Sequence, residues 1–118
     1  MRVCVVTQDG AVAALLREGI KEAKIEILSS GADIIDCLIK PNQEPPLVFI
    51  DITTTADGLR ALDFIKSSSV IGQIPIILIA HTGQAEHVGA QADAVLFFPF
   101  TPAEVETLAN RLKQHRRW

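Results

Sequence analysis

Leu47-Val48-Phe49-Ile50 and Ile76-Ile77-Leu78-Ile79 are unbroken apolar runs of strand length, with no polar residue alternating into them. A strand can be apolar on both sides only if both sides are covered, which is the condition of a parallel sheet wrapped by helices. The remaining pattern agrees. Arg2 to Thr7 is another short β-branched run, Lys24 to Leu28 alternates as an edge strand with one wet face would, and Ala94 to Phe97 supplies a fifth strand. Helical patterns separate them. Asp9 can cap a helix reaching Gly19 or Ala23, with Val12, Leu15, Leu16 and Ile20 on one face, and Ser30 opens a second that Pro41 stops. A third runs from Gly58 to about Ser69, burying Leu59, Leu62, Phe64 and Ile65, and a weak fourth covers Gln84 to Ala90. Thr101-Pro102-Ala103-Glu104 supplies an N-cap, a first-position proline and a capping-box acid for the last helix, which buries Val105, Leu108 and Leu112. Five strands alternating with five helices predict an α/β, doubly wound, five-stranded parallel sheet of order 2-1-3-4-5 with helices on both faces.

A length of 118 residues fits a single domain, 1–118, with a sizeable core. The net charge of −3 provides no field that favours nucleic acid or an anionic membrane. The basic residues that cluster in the tail, 113–118, predict the end of a helix leading into a linker or output region. No apolar stretch approaches the span of a bilayer, and the N-terminus lacks a signal layout, so a cytoplasmic protein is expected. In that compartment Cys4, in a strand, and Cys37, in a helix, are expected to be small core hydrophobes and not a structural disulfide.

Asp51 closes the Leu47–Ile50 run with a carboxylate. In a doubly wound sheet the ligand crevice lies beyond the carboxyl ends of the strands, at the switch between the first and third. Asp51 falls there by topology alone, and a charge in such a place is costly unless the site uses it.

The blocks LVFID, Asp57-Gly58 before a helix, IPIILIA, and QADAVLFFPF before a capped helix resemble the receiver domains of two-component response regulators over nearly the whole chain. The resemblance implies the flavodoxin-like receiver fold and puts Asp51 at the position where the family accepts a phosphoryl group from a histidine kinase. The loop after Asp51 is one residue shorter than the common pattern and lacks its usual proline. The rest of the family machinery is replaced. Two acids normally end the first strand and help hold Mg²⁺; here they are Thr7 and Gln8, with Asp9 following. The family's backbone metal ligand falls on Thr53. A hydroxyl residue that normally ends the fourth strand is Ala80, the switching aromatic of the fifth is Val95, and the lysine before the proline is Phe98. Mg²⁺ favours carboxylate and water oxygens, and phosphoryl transfer depends on positioned charge, so these replacements together imply a degenerate, pseudo-receiver variant.

His81 lies beside the expected pocket and could pair with Asp51, but an exposed loop position is favoured. His87 and His115 are expected on helix surfaces, and no spacing among the histidines and cysteines suggests a metal site. Thr53-Thr54-Thr55 could pass for a nucleophile cluster, but without a base a solvated loop is expected. Phe97, Phe98 and Phe100 surround Pro99 mostly as core, with one phenylalanine able to reach the surface. The family resemblance implies a cis Phe98-Pro99 bond.

The expected function is a non-enzymatic signalling module. It would act through protein contacts, with a partner or a second copy docking on the face of the weak helix, the fifth strand and the last helix. It would need no cofactor. The alternative is an authentic phosphoacceptor modified at Asp51 by a histidine kinase, with Mg²⁺ held through Asp9, Asp51 and the Thr53 carbonyl. A flavodoxin-like small-ligand binder is disfavoured because the loop after the first strand lacks a phosphate cradle.

Overall fold

A computed structural model describes residues 1–40, 44–69, 71–81, 83 and 92–114, without the side chains of residues 113 and 114. The elements follow the order β1 (Arg2–Val6), α1 (Gly10–Gly19), β2 (Lys24–Leu28), a 3₁₀ turn (Gly31–Asp33), α2 (Ile34–Leu38) and β3 (Leu47–Asp51). They continue with α3 (Gly58–Lys66), β4 (Ile76–Ala80), β5 (Ala94–Phe97) and α4 (Pro102–Gln114). The stop expected at Pro41, the weak helix over Gln84–Ala90, His87 and His115 lie outside the described residues.

All strand pairs are parallel and the sheet order is β2-β1-β3-β4-β5. The two apolar runs that dictated this architecture, β3 and β4, are buried at every residue, as strands covered on both faces must be. β2 is the half-wet edge, with Lys24 and Glu26 outward and Ile25 and Ile27 half-buried. Alternate strand residues feed two apolar layers. Val3, Val5, Phe49, Ile77 and Ile79 pack against Val12 and Leu16 of α1 and Val105 and Leu108 of α4. Cys4, Val6, Val48, Ile50 and Leu78 face Ile34 and Leu38 of α2 and Leu62 and Ile65 of α3.

The helix ends follow local chemistry. The Asp9 carboxylate accepts from the Ala11 N–H at 2.8 Å, and Thr101 and Glu104 bond reciprocally at 3.2–3.3 Å as a capping box. Gly19 ends α1 where it meets α4: a Cβ there would lie 2.7 Å from both the Pro102 carbonyl and Val105.

Three expectations are corrected. Leu59 and Phe64, expected in the core, are 39% and 58% exposed, because α3 turns Ala61, Leu62 and Ile65 toward the sheet instead. The second helix is shorter than expected, because Ser30, whose hydroxyl accepts from the Ala32 N–H, opens it as a 3₁₀ turn, and Ile39 beyond its end is 61% exposed. Cys4 and Cys37 are buried as expected but are joined by a disulfide. Cys4 points into the layer on which α2 packs, which brings the two Cα atoms to 6.5 Å, within bonding range. Compartment reasoning carries no information on that proximity.

Candidate functional site

The register of β1 on β3 ends with Val6 opposite Ile50, so the next residues along, Thr7 and Asp51, stand side by side at the carboxyl edge. Asp51 is fully buried, and Thr7 nearly so. The carboxylate is gripped from two loops. Thr7 Oγ1 donates to Asp51 Oδ2 at 2.7 Å, and Thr54 Oγ1 donates to the same oxygen at 2.9 Å. Thr53 donates to Oδ1 twice, from its backbone N–H at 2.9 Å and its hydroxyl at 2.5 Å. Thr55 turns its hydroxyl back onto the Asp51 carbonyl at 2.5 Å, closing the loop after β3.

An ionised carboxylate offers two oxygens with about four lone-pair sites. Four donors therefore use its accepting capacity in full. Each hydroxyl has one proton and commits it to Asp51, which leaves its oxygen free to accept. Thr54 Oγ1 accepts from the Gln8 N–H at 3.0 Å, and Thr7 Oγ1 accepts from the Asp9 N–H at 3.1 Å. The loop after β1 is thereby fastened to the loop after β3 through the carboxylate. Three of the four donors on the carboxylate are hydroxyls.

The other candidate residues take different parts. Gln8 is exposed, and its side-chain amide donates to the Ser29 carbonyl at 3.0 Å. Asp9 spends its carboxylate on capping α1. Ala80 is buried, contributes no polar side-chain atom, and its carbonyl accepts from the Phe98 N–H at 2.9 Å. Val95 is half-buried against the layer of α2 and α3. His81 is exposed and stands edge-on to Phe98, with ring centroids 6.2 Å apart. Phe98 in turn meets Phe100 edge-on at 5.9 Å, the Phe98-Pro99 peptide is cis, and Phe97 is the phenylalanine that reaches the surface, 45% exposed.

Mg²⁺ does not fit this donor set. One carboxylate is saturated, the nearest second one caps a helix, and the remaining polar groups are neutral hydroxyls. Among the described residues no group of three or more histidine, cysteine or acidic side chains could hold a metal.

The threonines are where sequence reasoning fell short. Thr53-Thr54-Thr55 is not a solvated loop: Thr55 is buried and the other two are half-buried with their hydroxyls turned inward. The available signal was three successive hydroxyls directly after a strand-ending aspartate, a sequence suited to side-chain-to-backbone turn bonds. A second carboxylate was also missed. Asp57 accepts from the Gly31 N–H at 2.8 Å, the Ser30 hydroxyl at 2.8 Å and the Ala32 N–H at 3.1 Å, capping the 3₁₀ turn from across the fold. The Gly31 N–H, then the Ser30 hydroxyl, hold its carboxyl below the ordinary aspartate range, against partial desolvation.

A parallel 2-1-3-4-5 sheet is the doubly wound, flavodoxin-like arrangement, and Asp51 at the end of β3 stands at its switch point. No protein-family model matches the chain, and no curated protein matches it. Solved structures do. The chain is similar to the receiver domain of NtrX from Brucella abortus, at 20% identity and TM-score 0.79, over 97% of this chain and 99% of that one. It is similar to the signal receiver domain of a signal transduction histidine kinase from Syntrophus aciditrophicus, at 18% identity and TM-score 0.82, over 99% and 93%. A longer NtrX structure from Brucella abortus matches at 21% identity and TM-score 0.75 over 96% of this chain, which spans 28% of its length. The fold is that of response-regulator receiver domains.

Proposed function

We propose that the chain is a degenerate receiver that works in cytoplasmic signal transduction through protein contacts, without efficient phosphorylation of Asp51. One observation carries this reading: the four donors from Thr7, Thr53 and Thr54 saturate the Asp51 carboxylate. A nucleophile must present a lone pair to phosphorus, and the lone pairs here are taken by three hydroxyls and a backbone N–H. The charge that would stabilise phosphoryl transfer is also missing, since Thr7, Gln8, Ala80 and Phe98 stand where the family carries acids, a hydroxyl and a lysine. No catalytic role is assigned to any residue.

The docking face we assign comprises β5 and α4. It is supported by the exposed Phe97 and by a shallow groove of about 350 Å³ between β5 and α4, lined by Val95, Thr107 and Arg111 among others. An exposed aromatic beside such a groove is an efficient anchor for a protein partner or a second copy.

The test is incubation with Mg²⁺ and a small phosphodonor, followed by intact-mass measurement. An unmodified chain is expected. Stoichiometric gain of one phosphoryl group, lost in Asp51→Asn, would establish the alternative, a working phosphoacceptor.

A further inference from the structure

The disulfide joins an interior strand of the sheet to a five-residue helix. Cys4 lies on β1, between β2 and β3, and Cys37 lies on α2, 33 residues away, with both side chains 1% exposed. α2 has five residues, far too few for a helix to hold itself together in water. Its position depends on burial of Ile34 and Leu38, on the cross-link, and on Arg2, whose guanidinium donates to the carbonyls of Cys37 and Glu44. Together with α3 it lines an apolar cavity of about 290 Å³, bordered by Ile34, Ile35, Ala61 and Phe64.

We propose that the Cys4–Cys37 bond is a thiol–disulfide switch that sets how firmly α2, and with it the cavity between α2 and α3, is held against the sheet. Two features separate a switch from a permanent staple. The layer around the sulfurs is completed by Val6, Val48, Ile50, Leu62 and Leu78, so the core persists when the bond is cut. The second feature rests on the cytoplasmic reading proposed above: in a reducing compartment, bonds of this kind are transient or redox-sensing more often than structural.

The two electrons come from a dithiol reductant. One of its thiolates attacks Cys37 Sγ when α2 lifts, the S–S bond breaks, and Cys4 Sγ leaves as a thiolate that takes up a proton. The second thiolate of the reductant attacks the mixed disulfide, releasing Cys37, which is protonated in turn, and the oxidised reductant. A disulfide oxidant runs the sequence in reverse. Because both sulfurs are buried, the rate is set by local opening of α2 and not by an exposed thiol.

The test uses the full chain purified without reductant. Denatured and treated with iodoacetamide, it is expected to take up no alkyl groups, and two after dithiothreitol. In native buffer, reduction is expected to speed hydrogen exchange across residues 31–40 by about tenfold or more, leaving β3 and β4 amides unchanged. Oxidised glutathione is expected to restore the slow rate. Cys37→Ser should exchange like the reduced chain and ignore reductant. Two alkyl groups before reduction would overturn the proposal. So would unchanged exchange at 31–40, or loss of protection throughout the chain on reduction, which would make the bond a staple of the whole fold.

Discussion

Thr54 is the residue on which the site turns, because its hydroxyl donates to Asp51 and accepts from Gln8 in the same breath. Removing it leaves a carboxylate short of one donor and a backbone N–H without its acceptor. Thr54→Ala and Thr7→Ala should each lower unfolding free energy by about 1–3 kcal/mol in urea titrations, since leaving a buried hydrogen-bonding group short of its partner costs that much. Asp51→Asn should cost at least about as much. An asparagine has one accepting oxygen and turns an NH₂ group toward donors that already point inward. If Asp51 were an idle relic in solvent, that substitution would be neutral. Asp57 gives the pH-dependent counterpart. Its folded-state carboxyl titrates below the ordinary range, so its contribution is complete above the unfolded value of about 3.9 and is lost as pH falls through the lower folded value. Asp57→Ala should therefore cost about 1 kcal/mol near pH 7, the worth of a cap, and the gap from the wild type should close toward pH 2. A gap independent of pH would contradict this role. At this scale the sequence made the missing groups legible and hid the replacements. Thr7 and Ala80 declare what they lack as residue types, whereas a hydroxyl's orientation is decided by strand register.

Elements were read most securely where local chemistry and tertiary packing agree. The Asp9 cap of α1 and the Thr101–Glu104 box of α4 satisfy orphaned helix donors whatever surrounds them, so their signals survive folding. α3 was misread at Leu59 and Phe64, because an apolar residue near the edge of a helical stripe can be buried or exposed depending on what covers that edge. α2 was overextended for a related reason. Its apolar residues continue to Ile39, but the helix stops at Leu38 and Ile39 faces outward. The contact of α1 with α4 offers a clean test of element packing. At Gly19 a methyl group would collide with the Pro102 carbonyl and Val105, and backbone cannot swing aside as a side chain can. Gly19→Ala should cost about 1–3 kcal/mol in thermal unfolding despite its better helix propensity. A gain in stability would show that the α1–α4 contact is looser than described.

For the whole molecule, two fully apolar strands and one half-wet edge were sufficient to specify the sheet order, because right-handed crossovers leave few other ways to cover both faces. That order brings Thr7 to Asp51 and Cys4 to Cys37 across 44 and 33 positions of sequence. Neither meeting is visible in local pattern. The central claim is that a receiver-type sheet holds its strand-ending aspartate with its own hydroxyls, leaving no free lone pair for metal or phosphoryl. The most direct measurement is a titration with Mg²⁺ and beryllofluoride, a phosphoryl mimic, followed through the amide signals of Gln8, Asp9 and Thr53. The account expects no saturable shift at millimolar ligand. A saturable shift of those three amides, with a bound-fluoride resonance that disappears in Asp51→Asn, would contradict it.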